Sequence, residues 1–291
     1  MDAVVAALRG AALGAMVCCG CEAGRPGLDA ASASASAQVV DSVKPKRPPP
    51  PPVLKPLVAS GDIVPLEVPG FAAASVSVPR GATQPRPLII VLHGESDLPE
   101  RQCREWRRIS GGYPWVLCPR GTPRSGSPAK EGRFTYASPD AAAKELRAAL
   151  AALKDKYVYH VAPGSVVLVG YSLGARYAIE LAKQEPSFFS RVVLVEGGGQ
   201  QWASGAATLY QRGGGQRVLF ACREASCRKE ARDRVALSQR LGLKAKVVAA
   251  SGSGHVDDGA VADGLRREYR WLTQGDPRFR GGAGASRPVS P

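Results

Sequence analysis

Several features are scarce in this sequence. Nowhere do about 18 uncharged apolar residues run together, so no segment reads as a membrane-crossing helix. No second CxxC and no cluster of histidines accompanies the seven cysteines, so a zinc site is not expected. Acidic residues are outnumbered: 25 Asp and Glu face 39 Lys and Arg, a net charge of +14. The excess is scattered arginine and not an aromatic-interleaved basic groove, so nucleic acid is not an expected partner. Adhesion to an anionic surface or polymer fits the charge, but an arginine-favouring codon usage explains it more simply. With only three histidines in 291 residues, the choice of a general base is narrow.

The chain divides by composition. At the start, an apolar stretch from Ala11 to Val17 follows Arg9 and runs into Cys18, Cys19 and Cys21. This resembles a bacterial lipoprotein signal, although Asp2, the late Arg9 and the bulky residues before Cys18 depart from the pattern. Residues 1–21 are therefore read as a signal or lipoprotein leader. Residues 22–60 are read as a linker: Ala30 to Ala37 is an Ala/Ser repeat, and Lys44 to Pro56 is Pro-rich, with an unbroken run from Pro48 to Pro52. Proline fixes φ and offers no N–H, so an extended, unpacked tether is expected. A folded domain is placed at 61–275 and a Gly/Pro/Arg-rich tail at 276–291. The expected address is exported: periplasmic, membrane-anchored through a lipid, or secreted, from a bacterium. Cys103, Cys118, Cys222 and Cys227 lie in the folded region. Cys222 and Cys227 are close enough to close a small loop, and Cys103 would sit on a helix beside the strand ending at Cys118. Two disulfides in an oxidising compartment are expected, with free thiols the alternative.

Within 61–275 the chain alternates. Strand-like segments are Ile63 to Val68, Ala74 to Val78, Leu88 to Leu92 (LIIVL), Trp115 to Cys118, Ser165 to Val169 (SVVLV), Arg191 to Val195 (RVVLV), Gln216 to Ala221 and Lys244 to Ala249. Helix-like segments are Pro99 to Ile109, Pro139 to Lys156, Leu173 to Gln184, Arg228 to Leu241 and Asp257 to Leu272. Uninterrupted apolar runs suit strands buried on both faces. The expected fold is α/β: a doubly wound, mostly parallel sheet covered by helices on both faces, with active groups at the carboxyl ends of the strands.

Three motifs fall at those ends. After SVVLV comes Gly170-Tyr171-Ser172-Leu173-Gly174, a G-x-S-x-G between strand and helix. A serine on so sharp a turn needs small residues two before and two after it. It gains an exposed Oγ at a helix N-terminus, where the dipole favours developing negative charge. After LIIVL comes His93-Gly94-Glu95-Ser96. After the last strand comes Gly252-Ser253-Gly254-His255. A free serine is a poor nucleophile and needs a base within hydrogen-bond reach. His255 alone of the three histidines lies at a strand's carboxyl end beyond the serine. His160 falls in a helix–strand connection, on the surface.

The HG turn, the GYSLGA elbow and the late GSGH, in this order, resemble the α/β-hydrolase family over roughly residues 60 to 275. The nearest flavour is its carboxylesterase, dienelactone-hydrolase and polyester- or feruloyl-esterase group. The resemblance implies a serine hydrolase acting on a small-molecule or polymer ester, needing no cofactor and no metal, with Ser172 as nucleophile and His255 as base. It implies oxyanion donors at the N–H groups of Glu95 and Leu173. His93, Gly94, Gly170 and Gly174 would shape the supporting turns. The family's usual acid, an Asp after the strand beyond the elbow's neighbour, is missing: VLFACREASC has Ala225 near that place. Glu196, one strand earlier, is the first choice for the acid, Glu224 the second, and no functional acid the third. The loop Gly121 to Tyr136 would border an open cleft, since no insertion is long enough for a lid. Trp202, Arg124 and Arg133 are candidates for substrate contact or for ordinary surface roles. A monomer is expected. The rival readings are a catalytically silent binding protein of this fold and a peptidase of this fold.

Overall fold

A computed structural model describes residues 52–127 and 132–282. The leader, the Ala/Ser repeat, most of the proline-rich stretch and the end of the tail lie outside the described residues. An eight-stranded sheet is built from β1 (Ile63–Leu66), β2 (Ala74–Ser77), β3 (Leu88–Leu92), β4 (Trp115–Cys118), β7 (Val167–Tyr171), β8 (Arg191–Val195), β9 (Arg217–Cys222) and β10 (Lys244–Ala249). Their order is β1-β2-β4-β3-β7-β8-β9-β10. β2 runs antiparallel to both neighbours, and all pairs from β4 to β10 are parallel. A separate two-stranded hairpin pairs β5 (Thr122–Pro123) with β6 (Phe134–Thr135).

Among the described residues five helices connect strands, α1 (Pro99–Ile109), α2 (Pro139–Lys156), α3 (Leu173–Gln184), α4 (Ser204–Arg212) and α5 (Ala225–Arg240), and α6 (Ala260–Thr273) follows the last strand. The period-2 pleat sorts β3 cleanly. Leu88, Ile90 and Leu92 enter the core under α2, α3 and α4, while Ile89 and Val91 enter the core under α1 and α6. The LIIVL and RVVLV runs are buried throughout because helices cover both faces of the sheet. α2 begins at a Ser138 N-cap, whose Oγ accepts the Ala141 N–H at 3.1 Å, with Pro139 in the first turn, where its missing N–H is no loss.

Some boundaries depart from the sequence reading. β7 starts at Val167, not Ser165, and continues through Gly170 and Tyr171, which pair with Leu194 and Val195 of β8. α4 was not foreseen, because its buried face is made of Ala206, Ala207 and Tyr210 and gives little apolar periodicity. α5 begins three residues earlier than expected, at Ala225. α6 begins later, at Ala260, because Gly259 takes φ 52° at its N-cap and Asp257 is drawn into an ion pair with Arg101. The expected linker also ends sooner. Leu57 is buried, its N–H donates to Ala82 O (3.2 Å), its carbonyl accepts from Gly81 (2.8 Å), and the Lys55 carbonyl meets His160 Nε2 at 3.1 Å. At the other end, a 3-10 turn, Pro277–Gly282, carries the domain past 275. Phe279 is buried, and Arg278 donates to Ser165 O (2.6 Å) and Asp276 (2.6 Å).

Both expected disulfides are present. Cys103–Cys118 ties α1 to β4, and Cys222–Cys227 ties the end of β9 to the first turn of α5. Among the described residues no helix is long and apolar enough to cross a membrane.

Candidate active site

Four loops at the carboxyl edge of the sheet converge on Ser172. The serine sits between β7 and α3 with φ 53° and ψ −113°, a conformation that costs a non-glycine residue about 1–3 kcal/mol and persists only where its surroundings enforce it. Here the surroundings are two glycines. A Cβ on Gly170 would lie 2.3 Å from the Gly174 carbonyl oxygen. A Cβ on Gly174 would lie 2.2 Å from Leu92 O and 2.6 Å from His93 O. The elbow is thus pressed against the turn that follows β3. The Ser172 N–H donates to Val195 O at 2.9 Å, which fastens it to β8 as well.

The turn after β3 touches the serine. A Cβ on Gly94 would approach Tyr171 Cδ1 to 2.9 Å and Ser172 Cβ to 3.2 Å. Among the described residues, no acceptor takes the N–H of Glu95 or of Leu173. His93 does not face the serine. It is wholly buried, stacked on Tyr136 with ring centroids 4.4 Å apart, and its nitrogens meet Gly94 O and Arg120 O, both at 2.8 Å. Tyr136 donates to Pro119 O (2.9 Å), and the buried Glu145 carboxylate accepts the N–H groups of Arg120 (2.8 Å) and Gly121 (2.9 Å). Burial pushes the Glu145 carboxyl above its ordinary range, and these two N–H groups pull it back.

His255 comes from the loop after β10. Its Nε2 lies 2.8 Å from Ser172 Oγ. Ala250 N–H donates to Cys222 O (2.8 Å), Arg228 Nη1 donates to Ala250 O (3.2 Å) and Gly252 O (3.1 Å), and Tyr171 OH donates to His255 O (2.9 Å). His160 lies at the opposite edge of the sheet, against Lys55.

Two carboxylates reach the other imidazole nitrogen. Glu196 Oε2 is 3.9 Å from His255 Nδ1 and Glu224 Oε2 is 3.6 Å from it, both beyond hydrogen-bond length. Their environments differ. The Glu196 side chain has no solvent exposure, whereas Glu224 keeps 48%. Glu196 follows β8 with φ 49°, and its Oε1 accepts the N–H groups of Arg223 and of Glu224 (3.2 Å). Its Oε2 is buried with no hydrogen-bond partner among the described residues. Burial pushes the Glu196 carboxyl above its ordinary range. The two N–H groups and His255 oppose that shift, and Glu224 adds to it. The ligand atoms of Glu196, Glu224 and His255 lie within 4.8 Å of one another, so these are also the side chains that could hold a cation. A cation there would occupy Nδ1, the atom the carboxylates face.

The three substrate-contact candidates fall elsewhere. Trp202 is wholly buried and donates from Nε1 to Ser238 Oγ (2.9 Å), so it is a core residue and not a cleft residue. Arg124 pairs with the Glu95 carboxylate (2.8 Å), which Thr135 Oγ1 also reaches (2.5 Å). Arg133 donates to Ser96 O at 3.5 Å. Both arginines therefore bind the β5–β6 hairpin region to the turn after β3.

No family model matches the chain, and no curated protein matches it. Solved structures do. An uncharacterized protein from Bacillus cereus ATCC 10987 aligns with TM-score 0.53 and 12% identity over 66% of this chain, which spans only 60% of that protein. Est1E from Butyrivibrio proteoclasticus aligns with TM-score 0.52 and 11% identity over 73% of this chain and 99% of its own. Esterase PE8 aligns with TM-score 0.50 and 17% identity over 72% of this chain and all of its own. At such identities the likeness is one of fold. The architecture is that of the α/β hydrolases, with β2 antiparallel and the elbow between the fifth and sixth main elements of the parallel sheet region, β7 and α3.

Proposed function

We propose that this chain is an exported serine hydrolase that cleaves carboxylic esters. The reading is carried by the Ser172 Oγ to His255 Nε2 contact of 2.8 Å, made by a serine held in a strained strand-to-helix turn. His255 takes the Oγ proton as Oγ attacks the ester carbonyl. The N–H groups of Glu95 and Leu173 hold the oxyanion. His255 then passes the proton to the leaving alkoxide, and water cleaves the acyl-enzyme by the same route. Glu196 orients His255 and stabilises the imidazolium. Its complete burial favours it over Glu224, because a charge interaction is screened least where water is absent. His255 is 46% exposed, which suits an open cleft and a small-molecule or polymer ester. The two disulfides support an oxidising, exported location, and a lipid anchor at the cysteine cluster 18–21 belongs to the same reading. The enzyme acts as a monomer, without cofactor.

The test uses the full chain, a fluorophosphonate probe and short-chain p-nitrophenyl esters. Wild type should label and turn over, and Ser172→Ala and His255→Ala should do neither. A protein inert to both reagents would be the silent binding protein of this fold. Labelling with cleavage of anilides in preference to esters would make it a peptidase. Mass spectrometry of the mature N-terminus decides export: an intact Met1 in membrane-free cytosol would rule it out.

A further inference from the structure

The base and the oxyanion turn lie on segments about 160 residues apart in sequence, 93–97 and 252–257. Each segment carries an aspartate two residues past its key group: Asp97 past Glu95, and Asp257 past His255. Both aspartates are only 5% exposed. Arg101, in the first turn of α1, lies between them. Its Nε donates to Asp97 Oδ1 (2.9 Å) and its Nη2 to Asp97 Oδ2 (2.8 Å). Its Nη1 donates to Asp257 Oδ1 (2.7 Å) and its Nη2 to Asp257 Oδ2 (3.1 Å). One guanidinium is thus bidentate to two carboxylates, a geometry a lysine cannot reproduce. Gln102 closes the cluster, its Nε2 donating to Asp97 Oδ2 (2.9 Å) and Asp257 Oδ2 (2.5 Å). Arg101 also lies over the ring of Tyr171, 5.6 Å from its centroid, and Tyr171 OH holds the His255 carbonyl.

The loop that Asp257 anchors has little stiffness of its own. Gly252, Gly254 and Gly259 all take positive φ. Arg228 secures its beginning, and beyond His255 the grip is the Asp257 carboxylate. Without Arg101, the two buried carboxylates would keep only the shared Gln102 amide and, at Asp97, the Leu98 N–H (2.7 Å), and would repel.

We propose that Arg101 is a positioning residue, a charged clasp that sets the spacing between the His255 loop and the oxyanion turn so that base and oxyanion donors reach Ser172 together. This rests on the serine-hydrolase reading for its catalytic consequence, but the loop ordering does not depend on it. A misplacement of about 1 Å can cost about 100-fold in rate without weakening ground-state binding.

The experiment pairs hydrogen exchange with steady-state kinetics on the full chain carrying Arg101→Gln, Arg101→Lys, Asp257→Asn or the double variant Arg101→Gln/Asp257→Asn. Arg104→Gln is the control: Arg104 is on the same helix, exposed, and has no ion-pair partner among the described residues. In Arg101→Gln, exchange across 251–258 should rise about tenfold, and kcat should fall about 30- to 100-fold with KM within about twofold. Arg101→Lys should fall in between. The double variant should be no worse than the poorer single, because both act through one contact. Arg104→Gln should match wild type. Unchanged exchange across 251–258, a loss expressed in KM instead of kcat, or additive losses in the double variant would each overturn the proposal. If Arg101→Gln does not fold, Asp257→Asn, which keeps the Arg101–Asp97 pair, carries the same readouts. A wild type inert to ester and probe would sink the hydrolase reading, and the exchange result would still decide the clasp.

Discussion

Replacing the two candidate acids one at a time should give unequal losses. In Glu196→Gln the buried carboxylate 3.9 Å from His255 Nδ1 becomes a neutral amide of the same shape, still able to accept from the Arg223 and Glu224 N–H groups. The imidazolium formed as Ser172 attacks then loses its sealed counter-charge. Two unit charges about 4 Å apart attract by about 4 kcal/mol at an effective dielectric of about 20, and by about 1 kcal/mol in bulk water. Glu196, with no exposure, belongs near the first figure, and Glu224, at 48% exposure, near the second. At about 1.4 kcal/mol per tenfold, Glu196→Gln should lower kcat about 500- to 1,000-fold, and Glu224→Gln about fivefold. The assay is p-nitrophenyl acetate hydrolysis near neutral pH, with circular dichroism to confirm folding. A larger loss in Glu224→Gln than in Glu196→Gln would refute the reasoning, because it would mean that the shorter 3.6 Å contact outweighs burial.

Three further outcomes are expected. Gly174→Ala should abolish labelling of Ser172 and lower the unfolding midpoint, since its Cβ would meet backbone oxygen at 2.2 Å; normal labelling would mean that the elbow yields. Replacing Cys103 and Cys118 by Ala should cost about 3 kcal/mol from the 15-residue loop they close, or about 6–12 °C in melting temperature; an unchanged thermal scan would argue against the bridge. Burial pushes the Asp97 carboxyl up, but Arg101, together with Gln102 and the Leu98 N–H, more than offsets this and holds it below its ordinary value of 3.8. A depressed carboxyl adds stability that is complete above 3.8 and is lost as pH falls through and below that value. The urea midpoint should therefore drop between about pH 5 and about pH 3, less steeply in Arg101→Gln, and equal slopes would contradict this.

The sheet was legible because LIIVL, SVVLV and RVVLV are buried on both faces, and the elbow because glycines flank a serine exactly where a strand meets a helix. The acid was less legible. Glu196 and Glu224 end neighbouring strands, and only three-dimensional burial separates them. Trp202 was a candidate for substrate contact or for a surface role, yet the chain after the Gly197–Gly199 turn leads it inward to Ser238. Phe279 is a single apolar residue between arginines, and Lys55 and Pro56 interrupt the short apolar pairs Val53-Leu54 and Leu57-Val58, so nothing in the pattern announced that Leu57 and Phe279 pack on the domain. Of the Arg101 cluster the sequence offers only an Asp97–Arg101 pair four residues apart, and Asp257 joins it only when α1 meets the loop after β10.

The Lys55–Leu57 contact also gives the domain an orientation. Residues 52–57 join it beside His160 and Ala82, at the amino edge of the parallel strands, and Ser172 lies at the carboxyl edge. A five-residue strand such as β7 separates the two edges by about 16 Å. The chain therefore enters the described domain at the edge of the sheet opposite the cleft, and the route to Ser172 does not cross the segment that leads in.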